Sequence, residues 1–491
     1  MGKQGCLHFF EVISGIPRAS GHEEAVADYL MSFAAERELW RYRDSLHNVY
    51  IRKPGGAGAE NLPPVVLQGH TDMVCAAEPG VRHDFLTEPL DLYVEGDRLR
   101  ARGTTLGADN GVAVASMLAL LDDSECVHPP LECLFTAQEE IGLKGAAILD
   151  PNLIAGRRLI NLDACPEGTF LIGAAGGVNL HMEVSTFRQV LPPGSKFFHV
   201  DILGLQGGHS GSDIGKERAN AIKLMAMLLA ALKREKLDFT LAGISGGSAP
   251  NVIPRECTAA LCLPAAASEQ TRAALETAAA DVKTMFAPWE PGLRIETRDG
   301  SLPDIAGFGL PDGAGAILPD GAAERLINLL NLLPTGRLRL SAAFPDLVAL
   351  SLNHGVIRTK LGAVELTVSL RADTELALKT LAADITQMAA RLGGENIRPA
   401  DAYPAWTPKP GSALCALMCE TFRDLRGREP VVQAVHAGLE CSVIAALIPD
   451  MDIVATGPDM GLYHTPDEWL DVRSFVRTQE YVTEVLRRLT L

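Results

Sequence analysis

The sequence predicts an α/β protein in which a domain built on a mixed, mostly parallel sheet is interrupted by an inserted α+β domain. Three observations carry that prediction. At 491 residues the chain exceeds what one hydrophobic core ordinarily serves, so two domains are expected. Between Pro63 and Asp163 strand-like runs alternate with helical ones, the order of a parallel sheet with helices on both faces. From about Val178 to Ala402 alternating strand patterns instead flank long helical stretches, an α+β arrangement.

Residues 22–39 space Val26, Tyr29, Leu30 and Phe33 at helical intervals, with Glu23 and Glu24 near the start, where a helix N-terminus favours negative charge. Pro54-Gly55-Gly56-Ala57-Gly58 reads as a surface turn. Val65–Leu67, Leu131–Thr136, Arg158–Leu162 and Asp452–Thr456 read as buried strands. Gly111–Leu121 is a helical pattern opened by Asp109, a residue type common at N-caps. The Gly-rich stretch Gly173–Gly177 marks a change of character. Within the insert, His181–Val184 and Leu366–Leu370 alternate as strands, and Glu217–Lys236, Glu269–Phe286 and Leu376–Leu392 read as helices.

Composition excludes several classes of function. Lys+Arg 44 against Asp+Glu 61 leaves a net charge of −17, which argues against nucleic acid or an anionic membrane as partner. The 10 cysteines are scattered with no C-x-x-C pair, the pattern of reduced thiols in a cytoplasmic protein. Met1–Glu11 lacks the apolar core of a secretory signal. The Met1-Gly2 start fails as a myristoylation signal, because Cys6 stands where Ser or Thr is needed. No run approaches the ~20 apolar residues that span a bilayer; the richest, Leu224–Leu232, lies between Lys223 and Lys233. A cytoplasmic location is expected.

The chemistry gathers after the strands. Leu67-Gln68-Gly69-His70-Thr71-Asp72 delivers a histidine and an aspartate at the end of an apolar run, and Asp109, Glu139-Glu140, Asp163 and His464 follow. In open α/β sheets ligands bind at the carboxyl ends of the strands. Carboxylates sharing one crevice cannot all stay ionised without cations. Divalent metals meet that demand, and imidazoles with carboxylates form a mixed N/O donor set suited to zinc, with manganese or cobalt as alternatives. A bridging carboxylate can hold two such ions roughly 3.5–4 Å apart. Taken singly, each motif has a bland reading: Asp72 as a turn former, Glu139-Glu140 as a solvated helix end.

As an ordered set, His70-Thr71-Asp72, Gly107-Ala108-Asp109-Asn110-Gly111, Glu139-Glu140, Asp163 and His464-Thr465-Pro466-Asp467-Glu468 resemble the di-zinc metallopeptidases of the M20 family. Within it, the chain is most similar to the bacterial aminoacyl-histidine (Xaa-His) dipeptidases. Gly103–Leu106, Gly207–Gly211, Pro250–Glu256 and His436–Cys441 extend the resemblance, which runs from about Ile16 to the C-terminus. It implies a discontinuous catalytic domain, 1–176 and 403–491, with a zinc-peptidase-like sheet, and an inserted lid over 177–402. It implies two divalent ions, His70 and Asp163 holding one, Glu140 and His464 the other, and Asp109 bridging, with a cis peptide after Asp109. Asp72 would orient His70 through its free N–H. Glu139 would serve as general base toward a water whose pKa zinc lowers toward ~7.

In the lid the resemblance assigns His209 to the oxyanion, and Asn251 and Arg371 to the substrate carboxylate. A guanidinium suits that task because its planar fork binds carboxylates in two places. Gly438 would let a substrate end approach backbone, and Glu440 is an alternative partner for the substrate amine. The chain departs from the family pattern at Gln138, Ala164 and Cys165, none of them a ligand or the base. The activity implied is hydrolysis of unblocked dipeptides, Xaa-His and β-alanyl-histidine among them, with no nucleic-acid or membrane partner and a homodimer left open. The rival readings are an N-acyl-amino-acid deacylase or carboxypeptidase, and a binding protein on a retired hydrolase scaffold.

Overall fold

The computed structural model describes residues 5–190, 193–300 and 317–491. The chain divides into two compact units: the first reaches to Ala174 and resumes over Trp406–Ala434 and Leu439–Leu491, while the second takes its described residues from Ala175–Ala405 and Val435–Gly438. The short return Val435–Gly438 is the one part of the division that no composition change in the sequence announces.

The first unit is built on an eight-stranded mixed sheet. Its spatial order is Trp40–Arg43, Val49–Lys53, Leu131–Thr136, Val65–His70, Arg158–Asn161, Asp452–Ala455, Thr169–Ala174, Val431–Val435. The strands from Leu131–Thr136 to Asp452–Ala455 run parallel, as the alternation of strands and helices predicts. The edge is different. Trp40–Arg43 and Val49–Lys53 form an antiparallel hairpin that joins the parallel centre antiparallel. The connection between them is short and closed by Asp44, whose Oδ1 accepts the N–H of Leu46 and of Asn48. So tight a loop can join only antiparallel neighbours.

Val65–His70 and Leu131–Thr136 are buried along their whole length, so both faces of the sheet centre are covered. On one face Leu67, Phe135, Ile160 and Val454 share a core with helices Cys6–Ser14, Glu24–Glu36, Ala108–Asp122, Ala413–Arg426 and Val472–Arg488. Helix Ala108–Asp122 is apolar on every side, as a helix enclosed by other elements must be. It lies against Gly69, where a Cβ would come 2.2 Å from that of Ala113. Glycine is therefore what lets the helix start touch the strand that carries His70.

The second unit holds a nine-stranded sheet. Its order is Arg294–Gly300, Ser195–Leu203, Cys257–Pro264, Thr240–Gly246, Val348–Thr359, Ala363–Ala372, Gly176–Ser185, Glu395–Tyr403, with Gly336–Leu340 added on Val348–Thr359. All its described pairings are antiparallel. Along Gly176–Ser185, Val178, Leu180, Met182 and Val184 enter the core while the residues between them are partly exposed, the period-two pattern of a half-buried strand. Helices Ala221–Arg234, Ser268–Phe286, Asp320–Leu332 and Glu375–Arg391 complete that core. The first starts later than its periodicity predicts, because extended Asn220 caps it by accepting the N–H of Lys223 at 3.1 Å. Among the described residues no helix is long and apolar enough to cross a membrane.

Candidate metal centre

The parallel strands of the first unit end side by side, with His70 opposite Thr136 and Gln68 opposite both Leu134 and Asn161. This alignment places the loops that follow them at one edge of the sheet. His70 closes its strand, and its ring is fixed from behind: Nδ1 lies 3.0 Å from the backbone carbonyl of Asp72. That contact makes Nδ1 the donor and turns Nε2 toward the acids. The sequence assigns this orienting role to the Asp72 carboxylate. The carboxylate is close as well, Oδ1 lying 3.5 Å from Nδ1, so Asp72 supports the ring through both its carbonyl and its carboxylate.

Asp72 Oδ1 accepts the N–H of Glu139 at 3.0 Å, and Oδ2 accepts that of Glu140 at 3.2 Å and the hydroxyl of Ser20 at 2.8 Å. Glu23 extends the pattern, since its Oε1 accepts the N–H of Gln138 at 3.1 Å. Gln138 adopts a left-handed φ of 55°, so the chain leaves strand Leu131–Thr136 in a sharp turn that these two carboxylates hold by its amides. The Glu139-Glu140 pair thus sits on a clamped loop. The solvated helix end of the bland reading does not occur.

Asp109 does not cap a helix. Its φ of −82° and ψ of 104° are followed by the equally non-helical −116° and 40° of Asn110, so the helical turns begin beyond both; the peptide between them is cis, as the resemblance implies. Its oxygens diverge instead. Oδ1 lies 3.0 Å from His70 Nε2, and Oδ2 lies 3.3 Å from His464 Nε2. Around the first contact stand Asp163 Oδ2, 3.8 Å from His70 Nε2, and Glu139 Oε2 at 4.0 Å. Beside the second is Glu140 Oε1, 2.8 Å from His464 Nε2. Asn110 Nδ2 steadies Asp163 by donating to its Oδ1 at 3.0 Å. His70, Asp109 and Glu140 can each offer one ligand atom within 4.8 Å of the others, a spacing suited to a metal ion.

The electrostatics explain what such a cluster demands. Burial, then the charges of Glu140, Asp163 and Glu440, push the Glu139 carboxyl well above its usual range despite His70. Burial and the charge of Asp109 do the same to Asp163. Burial works against a charged His70, but hydrogen bonds to Asp109 and Asp72 outweigh it and raise its pKa. Hydrogen bonds to Asp109 and Glu140 lift His464 to about 10. The cluster therefore holds more negative charge than it can carry alone, and recruits protons to offset it. Divalent cations would take the place of those protons, and the carboxylate–imidazole donor set suits zinc, manganese or cobalt.

Several residues that frame the centre escape sequence reasoning. Glu468 takes four consecutive amides, Oε2 from Leu106 and Gly107 at 2.8 and 2.9 Å, Oε1 from Ala108 and Asp109 at 2.8 and 3.3 Å. A carboxylate at a helix start answers the unpaired N–H groups there. Fully buried Arg18 donates to the carbonyls of Thr71 at 3.0 Å and Gly107 at 2.6 Å, joining the two loops. Glu440 is 1% exposed and turned inward onto Gln68 and Thr136, so it is not the partner of a substrate amine.

In the second unit, His209 pairs with Val252 across a two-residue ladder, and the Ser210 N–H donates to the Asn251 carbonyl at 2.8 Å. His209 and Asn251 are thereby neighbours. Backbone N–H groups of Gly211 and Ser212 donate to His209 Nδ1 at 3.2 and 3.3 Å, which places the ring proton of the neutral imidazole on Nε2. Arg371, a surface salt-bridge residue on the bland reading, is 6% exposed, and its Nη1 donates to the Tyr403 hydroxyl. Gly438 is crowded by the same tyrosine, since a Cβ there would meet the ring at 2.7 Å. That close approach explains the glycine without any substrate.

Comparison with known proteins agrees with this reading. The description of peptidase family M20/M25/M40 matches residues 66–488. The chain is 36% identical over 489 residues to the cytosol non-specific dipeptidase of Escherichia coli (strain K12), covering 100% of this chain and 98% of that one. Its structure is similar to that of the aminoacylhistidine dipeptidase from Vibrio alginolyticus, with a TM-score of 0.84 at 33% identity over 98% of this chain and 96% of that one. The fold, though little of the sequence, is shared with an aminopeptidase from Bacillus cereus, with a TM-score of 0.57 at 14% identity and full coverage of both chains.

Proposed function

This chain belongs to peptidase family M20/M25/M40 and is a metallopeptidase, and from that premise we propose that it hydrolyses unblocked dipeptides at the centre around Asp109. One observation carries the reading: the two oxygens of Asp109 face different imidazoles, His70 at 3.0 Å and His464 at 3.3 Å. That is the arrangement expected of a carboxylate shared by two ions. His70 and Asp163 would hold one ion with Asp109, and Glu140 and His464 would hold the other. Two ions so placed would supply Lewis acidity toward the scissile carbonyl and acidify the attacking water.

The chain's own groups do the rest. Glu139 stands beside the cluster, its backbone held by Asp72 and its Oε2 4.0 Å from His70 Nε2. It would accept the proton of the attacking water and return it to the departing amine. Asp72 acts by holding that loop. In the second unit, His209 would present Nε2–H to a developing oxyanion, while Arg371 and Asn251 would recognise the C-terminal carboxylate of the substrate. A cytoplasmic protein is the reading supported by the name of the Escherichia coli relative and by cysteines that are all free.

Two dipeptidase relatives, one named non-specific and one for aminoacylhistidine substrates, support unblocked dipeptides with Xaa-His and β-alanyl-histidine among them. The test compares a free dipeptide, its N-acetylated form and its C-terminal amide on zinc-loaded protein. Hydrolysis of the free dipeptide alone is the expected result. Preference for the N-acetylated compound would make the protein a deacylase, and no hydrolysis of any of the three would remove the enzymatic reading.

A further inference from the structure

The strand that delivers His70 also carries Gln68, a buried amide in an otherwise apolar run. Its Nε2 donates to Glu440 Oε2 at 2.6 Å, and its Oε1 accepts from Asn161 Nδ2 at 2.6 Å. Asn161 Oδ1 in turn accepts the backbone N–H of Asp163 at 3.0 Å. Thr136 completes the group, its hydroxyl donating to Glu440 Oε2 at 2.6 Å and accepting from Gln68 Nε2 at 3.0 Å. Every donor in this chain points the same way, from Asp163 through Asn161 and Gln68 to Glu440.

That direction has a cause. An amide side chain can present either its oxygen or its nitrogen to a neighbour, and two amides facing each other have two self-consistent orientations. Glu440 Oε2 accepts from both Gln68 Nε2 and the Thr136 hydroxyl. With Glu440 at one end, Gln68 must offer its nitrogen there and its oxygen to Asn161, which leaves the oxygen of Asn161 for Asp163. The reversed orientation would turn the Asn161 nitrogen against the Asp163 N–H. Hydrogen bonds aligned in one sense also strengthen one another in a buried setting.

We propose that Glu440, Gln68 and Asn161 form a buried directional relay that positions Asp163, and so sets the affinity of the centre for its divalent ion; Glu440 is a positioning residue. The proposal rests on the metal-centre reading above. Partners of metal ligands at this remove typically change metal affinity 10–100-fold when removed.

The test uses full-length protein stripped of metal by a chelator, titrated with Zn2+ against a competing colorimetric chelator, with folding checked by circular dichroism. Glu440→Leu, which keeps volume but removes the acceptor, should weaken the tighter Zn2+ step at least tenfold. Glu440→Gln, whose amide can present either oxygen or nitrogen to Gln68, no longer fixes the direction and should weaken the step about as much as Glu440→Leu. Asn161→Ala should match Glu440→Leu, and the double variant should be no more than about threefold weaker than the worse single one, because both cut one relay. If Glu440→Gln binds Zn2+ as wild type does, the carboxylate end does not set the direction, and the relay is wrong. Unchanged affinity in Asn161→Ala, or additive losses in the double variant, overturns it as well, whether or not Glu440→Leu folds. Wild-type protein that takes up no Zn2+ would overturn the metal-centre reading itself, and the relay with it.

Discussion

Asp72 accepts the backbone N–H of Glu139 at 3.0 Å, so a residue just past strand Val65–His70 holds the loop that follows its parallel neighbour Leu131–Thr136. Its second oxygen takes the N–H of Glu140, and the two acids of the pair are thereby aimed by one buried carboxylate. Asp72→Asn puts an NH2 group against one of those amides. Activity should fall roughly 10–100-fold, the range for partners that act through ligands. Steady-state kinetics with metal analysis checks this, and an Asp72→Asn enzyme of wild-type rate would show that the loop needs no such holder.

Glu139 and Glu140 should part company on substitution. Glu139→Gln keeps shape but loses basicity, so turnover should drop ~10²–10⁴-fold while bound metal stays near wild type. Glu140→Gln should lose metal first, since Glu140 Oε1 lies 2.8 Å from His464 Nε2 and Glu140 groups with His70 and Asp109 at ligand spacing. Elemental analysis of both variants decides the roles, and metal loss in Glu139→Gln would reverse them.

Chelation should abolish hydrolysis and give the metal-free protein a distinct pH dependence. There His464 titrates at about 10, because Asp109 and Glu140 hold its proton, against an unfolded value of ~6.5. The folded state therefore binds the extra proton between these values. The stability it contributes is full below about pH 6.5 and is lost as pH rises through about 10. Lys223, whose pKa burial lowers to about 8, contributes with the opposite sign. The clean readout is the difference between proteins: metal-free wild type should lose more Tm than metal-free His464→Ala across this window. Parallel curves would mean that His464 is not protonated in the empty cluster.

Arg371 should measure substrate length. A charge-assisted contact with the substrate carboxylate is worth ~1.5–3 kcal/mol. Wild type should prefer free dipeptides to tripeptides and to amidated dipeptides, and Arg371→Ala should narrow that preference by roughly tenfold per 1.4 kcal/mol lost. Arg371→Lys should recover it only in part, because a point charge cannot reproduce the planar fork. Tyr403→Phe removes the hydroxyl that accepts from Nη1 and should weaken the same preference more mildly. Equal cleavage of free and amidated dipeptides by wild type would leave Arg371 a structural residue.

Gly69→Ala should destabilise the first unit by about 1–3 kcal/mol, the usual result of forcing a methyl group into a packed core. The new Cβ would lie 2.2 Å from that of Ala113 and 2.4 Å from Asn110 Oδ1, and the helix start cannot retreat without moving Asp109. Thermal melting and metal affinity should fall together. A variant of unchanged Tm would show that the helix can shift.

Much of the protein was determined by its sequence alone. Val65–Leu67 and Leu131–Thr136 announce themselves because a strand covered on both faces is largely apolar, and the helix within Glu217–Lys236 because a half-buried helix repeats every three to four residues. The acids and histidines that end those strands were legible for the same reason: the periodicity shows where each strand stops. Tertiary structure alone decided which groups hold them. Glu23, Arg18, Glu440 and Glu468 act on backbone amides, carbonyls or a buried glutamine far along the chain. A lone Glu or Arg carries no pattern that tells such a role from a solvated charge. Asp109 as a bridge was legible only through the family resemblance; no local repeat encodes which oxygen meets His70 and which His464, because that depends on where the chain brings two distant loops together.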